Sequence, residues 1–131
     1  MNLRRQIIQT IVSFVLFATV VIAIGCGDSA PGSGEKYGVD IPSDQPVVKL
    51  ATLLEDPVGF DGKSIVMRGV VSGQCASLCE LFLLDGTQTA TIFPQGFDIP
   101  RFEKNTSVTI YAQITNGEEN VVISALGLRT E

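Results

Sequence analysis

The chain of 131 residues carries nine Lys+Arg against fourteen Asp+Glu, a formal net charge of −5. Its 45% apolar content and mean hydropathy of +0.33 suit one small domain accompanied by a strongly apolar segment. No histidine is present, which removes the commonest general base, the commonest zinc and haem ligand, and every nucleophile system built on an imidazole. No catalytic residue, no metal site and no cofactor is expected from this inventory.

The first elements form an export signal. Arg4 and Arg5 precede an apolar run from Ile7 to Ile24, which ends at Gly25-Cys26-Gly27. A basic start, an apolar middle and a small residue at the boundary make residues 1–25 a signal peptide. The densest stretch, Phe14 to Ile24, is about 11 residues and spans about 16 Å as a helix, near half a hydrocarbon core. Extending back to Ile7 reaches about 27 Å but takes in Gln9, Thr10 and Ser13, so a retained membrane anchor stays open as an alternative.

Ala23-Ile24-Gly25-Cys26 resembles the lipobox of bacterial lipoproteins, with Ala23 where Leu is usual. The resemblance implies cleavage before Cys26 and acylation of that cysteine by diacylglycerol and an N-acyl chain, palmitate being the type of fatty acid involved. An incidental cysteine after an ordinary signal peptide is the competing reading. The lipid would hold the chain on the cell membrane or outer membrane, facing the periplasm or the exterior. Cys75 and Cys79 are then the remaining pair, in a compartment that is usually oxidising.

Residues 26–46 are rich in Gly, Ser and Pro and show no period, so they read as a flexible tether holding the folded part about 25 Å from the membrane. Tyr37 and Val39 offer a short docking segment as the alternative. The folded domain is expected over residues 47–131. Val47, Leu50, Ala51 and Leu54 have the spacing of one helical face, and Pro57 stops the helix. The pattern then switches to alternation. Ser64 to Val71 places Ile65, Met67, Gly69 and Val71 on one face. Glu80 to Leu84 and Thr87 to Phe93 flank Asp85-Gly86, a strong hairpin signal. Thr106 to Ile114 and Val121 to Leu128 flank the turn Asn116 to Asn120. Five short strands behind one helix predict an all-β fold, a five-stranded barrel with Gly69 at a sharp bend. The connection Pro94 to Lys104, with two prolines and Gly96, reads as a loop or a single turn.

The runs Gly62-Lys63-Ser64-Ile65-Val66-Met67-Arg68-Gly69-Val70-Val71 and Phe82-Leu83-Leu84-Asp85-Gly86-Thr87 resemble the OB-fold of the tRNA-anticodon-binding-like type found in bacterial envelope proteins, over about Leu50 to Leu128. The Cys75/Cys79 loop is similar to that of small bacterial OB-like domains of unknown function. The resemblance implies an OB-fold-like barrel and supplies no catalytic residue. An OB-fold haem chaperone of the envelope holds its haem through a histidine, which this chain lacks.

Three uses of such a barrel compete. As a binding module for another envelope protein or a small ligand, it would recognise its partner at a mouth formed by the Cys75–Cys79 loop, the Pro94–Lys104 loop and the Asn116–Asn120 turn. Phe93, Phe97, Phe102 and Arg101 are its candidate ligand-binding residues, at least two of the aromatics being expected to cap the barrel end. As a thiol-disulfide redox protein it would use Cys75 and Cys79. Their spacing is one residue longer than a Cys-x-x-Cys motif and lies before a strand, which favours a structural disulfide. Two thiolates without a further Cys or any His are too few for a metal. As a binder of single-stranded nucleic acid it would need a surplus of cations. The leader takes away Arg4 and Arg5, and Lys63, Arg68, Arg101 and Lys104 stand beside Asp61, Asp98 and Glu103, so the charge balance argues against this role. Glu118 and Glu119 read as a solvated pair in a turn.

Overall fold

A computed structural model describes residues 34–131; the expected signal peptide, the lipidation site Cys26 and the first part of the tether lie outside the described residues. Among the described residues, six strands and two short helices follow in the order β1 (Lys36–Gly38), α1 (Leu50–Glu55), α2 (Pro57–Phe60), β2 (Ser64–Gln74), β3 (Leu81–Asp85), β4 (Gln88–Pro94), β5 (Ser107–Asn116) and β6 (Val121–Thr130). Strands β2 to β6 close on themselves. β2 pairs antiparallel with β5 through its first half and with β3 through its second. β3 pairs with β4, β5 with β6, and a short parallel contact of β4 with β6 shuts the ring. This is the expected all-β barrel of five strands.

The alternation read from the sequence sets what fills it. Ile65, Met67 and Val71 of β2 and Val108, Ile110, Ala112 and Ile114 of β5 all point into one core, joined by Leu81, Leu83, Ile92, Ile123, Ala125 and Leu128. Gly69 stands where β2 passes from β5 to β3. A Cβ there would lie 2.5 Å from the Leu84 carbonyl oxygen and 2.8 Å from a Leu83 methyl, so only glycine lets the strands approach closely at the bend. Bulges at Ser72 of β2, between Val71 and Gly73, and at Leu126 of β6, opposite Tyr111–Ala112, add curvature where closure requires it. The Asp85–Gln88 hairpin is the tight one expected from Asp85-Gly86.

The helix differs in its start and its buried face. Val47 and Val48 are not helical. Val47 bridges Val66, and the Val48 amide donates to the Val66 carbonyl at 2.8 Å, covering a β2 side chain that faces away from the core. The helix begins at Leu50, whose amide donates to the Asp85 carboxylate at 2.9 Å. It buries Leu50 and Leu53, leaving Leu54 39% exposed. A register fixed by Asp85 turns Leu53, rather than Leu54, into the core. Asp56 then accepts from the Gly59 amide, and Pro57 opens α2 at a position where its missing N–H costs nothing.

Inside the stretch read as a tether, β1 lies antiparallel on β6, with Tyr37 opposite Leu128. It continues the same edge of β6 that β4 occupies, since Pro94 pairs with Ala125 and the Val39 amide reaches the Leu126 carbonyl at 2.9 Å. Gly38 has φ +73°, and a Cβ there would strike the Leu126 carbonyl oxygen at 2.3 Å and the Phe97 ring at 2.7 Å. The Tyr37 and Val39 docking alternative therefore describes this segment better than a free tether does. Among the described residues no helix is long and apolar enough to cross a membrane.

Candidate functional site

The connection from β2 to β3 carries Cys75 and Cys79 on a tight loop. The Leu78 amide donates to the Cys75 carbonyl at 3.1 Å and the Cys75 amide to the Glu80 carbonyl at 3.2 Å. Leu78 itself is left-handed, with φ 59°, a conformation uncommon for a residue with a branched side chain. The loop folds back so that the Cys79 amide donates to the Cys75 sulfur at 2.9 Å. Both thiols are free, and the Ser77 hydroxyl lies 3.5 Å from the Cys75 sulfur and 3.3 Å from the Cys79 sulfur. Hydrogen bonding with the Cys79 side chain, then with the Ser77 hydroxyl, lowers the Cys75 thiol to about 7. The Glu80 carboxylate completes a group of three donors, all within 4.8 Å of one another.

The long connection from β4 to β5 has no helix. Ile99 takes that place by burying itself in the core. The loop is fastened to the end of β2: the Gln74 side chain donates to the Pro100 carbonyl at 2.9 Å and accepts from the Phe102 amide at 2.7 Å. Arg101 donates to the Ala76 carbonyl at 3.2 Å, so this candidate ligand residue ties the two loops together. Phe97 packs beneath Gly38, and Phe102 meets Tyr37 edge-on with ring centroids 5.7 Å apart. Both pack against the core and act as caps. The Tyr37 hydroxyl donates to Glu35, and burial with that neighbouring carboxylate pushes the phenol up to about 12.

Phe93 is placed differently. It lines an open groove of about 560 Å³ with Leu54, Thr89, Thr91, Glu119, Val121 and Val122, between β4, the start of β6 and α1. The expected three-loop mouth therefore needs correction. The Cys75–Cys79 and Pro94–Lys104 loops do come together. The Asn116–Asn120 turn is held elsewhere, by the Asp61 carboxylate accepting from the Asn116 amide at 2.8 Å. Asp61 precedes β2 and Gln74 ends it, so the turn and the cysteine loop are attached at opposite ends of an eleven-residue strand.

The basic residues do not converge either. Lys63 precedes β2, Arg101 is fixed at the far end of that strand, and Arg68 lines a second concavity of about 500 Å³ together with Asp85, Ser107 and Glu131. Thr109 and Arg129 hydrogen bonds hold the Glu131 carboxyl below its ordinary range. Sequence reasoning missed Glu80 as a partner of the two thiols, although its position next to Cys79 was the available signal. It also missed the groove, which forms only when β6 is laid parallel to β4.

No protein-family model matches the sequence, and no curated protein does. Among solved structures the chain is similar to a putative aspartyl-tRNA synthetase from Leishmania major Friedlin, with a TM-score of 0.55 and 12% identity, covering 76% of this chain and 23% of the other. The fold is that of an OB barrel. The chain spans under a quarter of the synthetase, so the likeness concerns one domain-sized part of it. Weaker similarity extends to the telomere capping protein Ten1 from Saccharomyces pombe (TM-score 0.49, 16% identity, 64% of this chain and 78% of the other). It extends also to the S. pombe Stn1-ten1 complex (TM-score 0.48, 18% identity, 70% and 81%).

Proposed function

We propose that this chain is a membrane-anchored, non-enzymatic binding module of the cell envelope, held by lipid on Cys26 and presenting its OB barrel to another envelope protein or a small ligand. The groove beside Phe93 carries this reading. It is open, mixes Phe93, Leu54 and Val121 with the polar residues Thr89, Thr91 and Glu119, and leaves Val122 38% exposed, the composition of a recognition surface rather than of a sealed core. The acidic charge balance and the scattered cations favour a protein or small-molecule partner over nucleic acid. The lipobox resemblance at Ala23 to Cys26 supports the anchor.

Two measurements test it. Intact mass and detergent partitioning of the wild type against Cys26→Ser should show an acylated species that moves to the aqueous phase when the cysteine is replaced. A photo-crosslinker at position 122 should give one adduct of discrete mass in envelope fractions, lost in Phe93→Ser. An unacylated wild-type chain rejects the anchor, and an adduct pattern indifferent to Phe93 rejects the groove.

A further inference from the structure

We propose that Cys75, Cys79 and Glu80 form a site for one divalent thiophilic ion of the Zn²⁺ type, with a fourth coordination position open to solvent or to a group of a partner. This goes beyond the binding-module reading and stands whether or not Cys26 is acylated. Two sulfurs on a tetrahedral zinc, at about 2.3 Å from the ion, stand about 3.8 Å apart, and a carboxylate oxygen binds at about 2.0–2.2 Å. The three donors already lie within 4.8 Å of one another, so small side-chain rotations bring them onto one centre.

The loop is built to hold that arrangement. The amide of Cys79 points at the Cys75 sulfur, and the left-handed turn at Leu78 returns the chain towards its start. Outer contacts brace the loop through Arg101 on the Ala76 carbonyl and Gln74 on the neighbouring loop, the kind of support that orients ligands. The Ser77 hydroxyl lies on an exposed side chain and can rotate away from between the sulfurs. Donor chemistry selects the ion. Thiolates suit both Cu(I) and Zn²⁺, whereas a carboxylate oxygen is a hard donor that adds affinity for the divalent ion. With Cys79 exposed and Cys75 and Glu80 half-buried, one side of the site faces solvent, as in zinc sites with three protein ligands and an open position.

The test uses the full chain carrying Cys26→Ser, which removes the third thiol, in detergent and after reduction. Titration with Zn²⁺ against a chromophoric chelator should saturate at one ion per chain. Co²⁺ should give sulfur-to-metal charge-transfer absorption with tetrahedral visible bands. Cys75→Ser and Cys79→Ser should each abolish the charge-transfer band or reduce it by half, and Glu80→Gln should weaken Zn²⁺ at least tenfold while Cu(I) binding stays within twofold. Far-ultraviolet circular dichroism confirms that each variant is folded, and Glu80→Gln leaves both thiols in place. Absence of the cobalt band, one ion per two chains, wild-type zinc affinity in Glu80→Gln, or re-formation of a Cys75–Cys79 disulfide under excess Zn²⁺ would each overturn the proposal.

Discussion

At the scale of single residues, the Cys75 thiol is set by its hydrogen bonds rather than by burial. The bonds from Cys79 and Ser77 stabilise the thiolate, so its population grows as pH rises through about 7 instead of nearer the ordinary cysteine value. Alkylation of Cys75 in the Cys26→Ser chain, followed by mass spectrometry, should therefore show a midpoint at about pH 7. Ser77→Ala should move that midpoint upward, because one of the two leading stabilising contacts is gone; an unmoved midpoint would show that Ser77 does not contribute. Asp85 illustrates a different residue-scale effect. It terminates a hairpin and at the same time receives the first amide of α1, and the second role sets which leucines of that helix are buried.

At the scale of elements, Gly69 governs whether β2 can serve two partners. Gly69→Ala pushes a methyl group against the Leu84 carbonyl, a backbone atom that cannot swing aside, and should cost about 1–3 kcal/mol in a urea titration. A neutral result would mean that β2 bends elsewhere. The strands were legible because each alternates: Ile65, Met67 and Val71, and again Val108 to Ile114, show a period of two that leaves one burial choice. The start of α1 was not, because Val47, Leu50 and Leu54 fit a helical face as well as Leu50 and Leu53 do, and the deciding bond comes from a residue 35 positions away. β1 was hidden for a related reason. Three residues among glycines have no period of their own, and their strand character exists only against β6. The pairing of the cysteine loop with the Pro94–Lys104 loop was anticipated, while the position of the Asn116–Asn120 turn depends on Asp61, a contact across the fold that no local pattern encodes.

At the scale of the whole molecule, the barrel is shut by a short parallel contact, Ile92 to Pro94 against Ile123 to Ala125, and β1 extends the cover along the same edge. Removing residues up to Val39 strips β1 and the Tyr37 ring from Phe97 and Phe102. The loss of its ladder bonds and aromatic contact should amount to about 2–3 kcal/mol, which lowers Tm by on the order of 10 °C. Differential scanning calorimetry of the shortened chain against the full one measures this, and an unchanged Tm would show β1 to be energetically idle.

The docking of β1 on β6 also bears on how the chain reaches its folded state. β1 waits for β6: the backbone of Gly34 through Val39 pairs with Leu126 to Thr130, and Glu35 meets Thr130 across a separation of 95 residues. A chain that forms its neighbouring hairpins first cannot complete this seam until β6 is in place. Folding therefore concludes with the segment around β1 zipping onto β6, a pairing of high sequence separation that is slow to form.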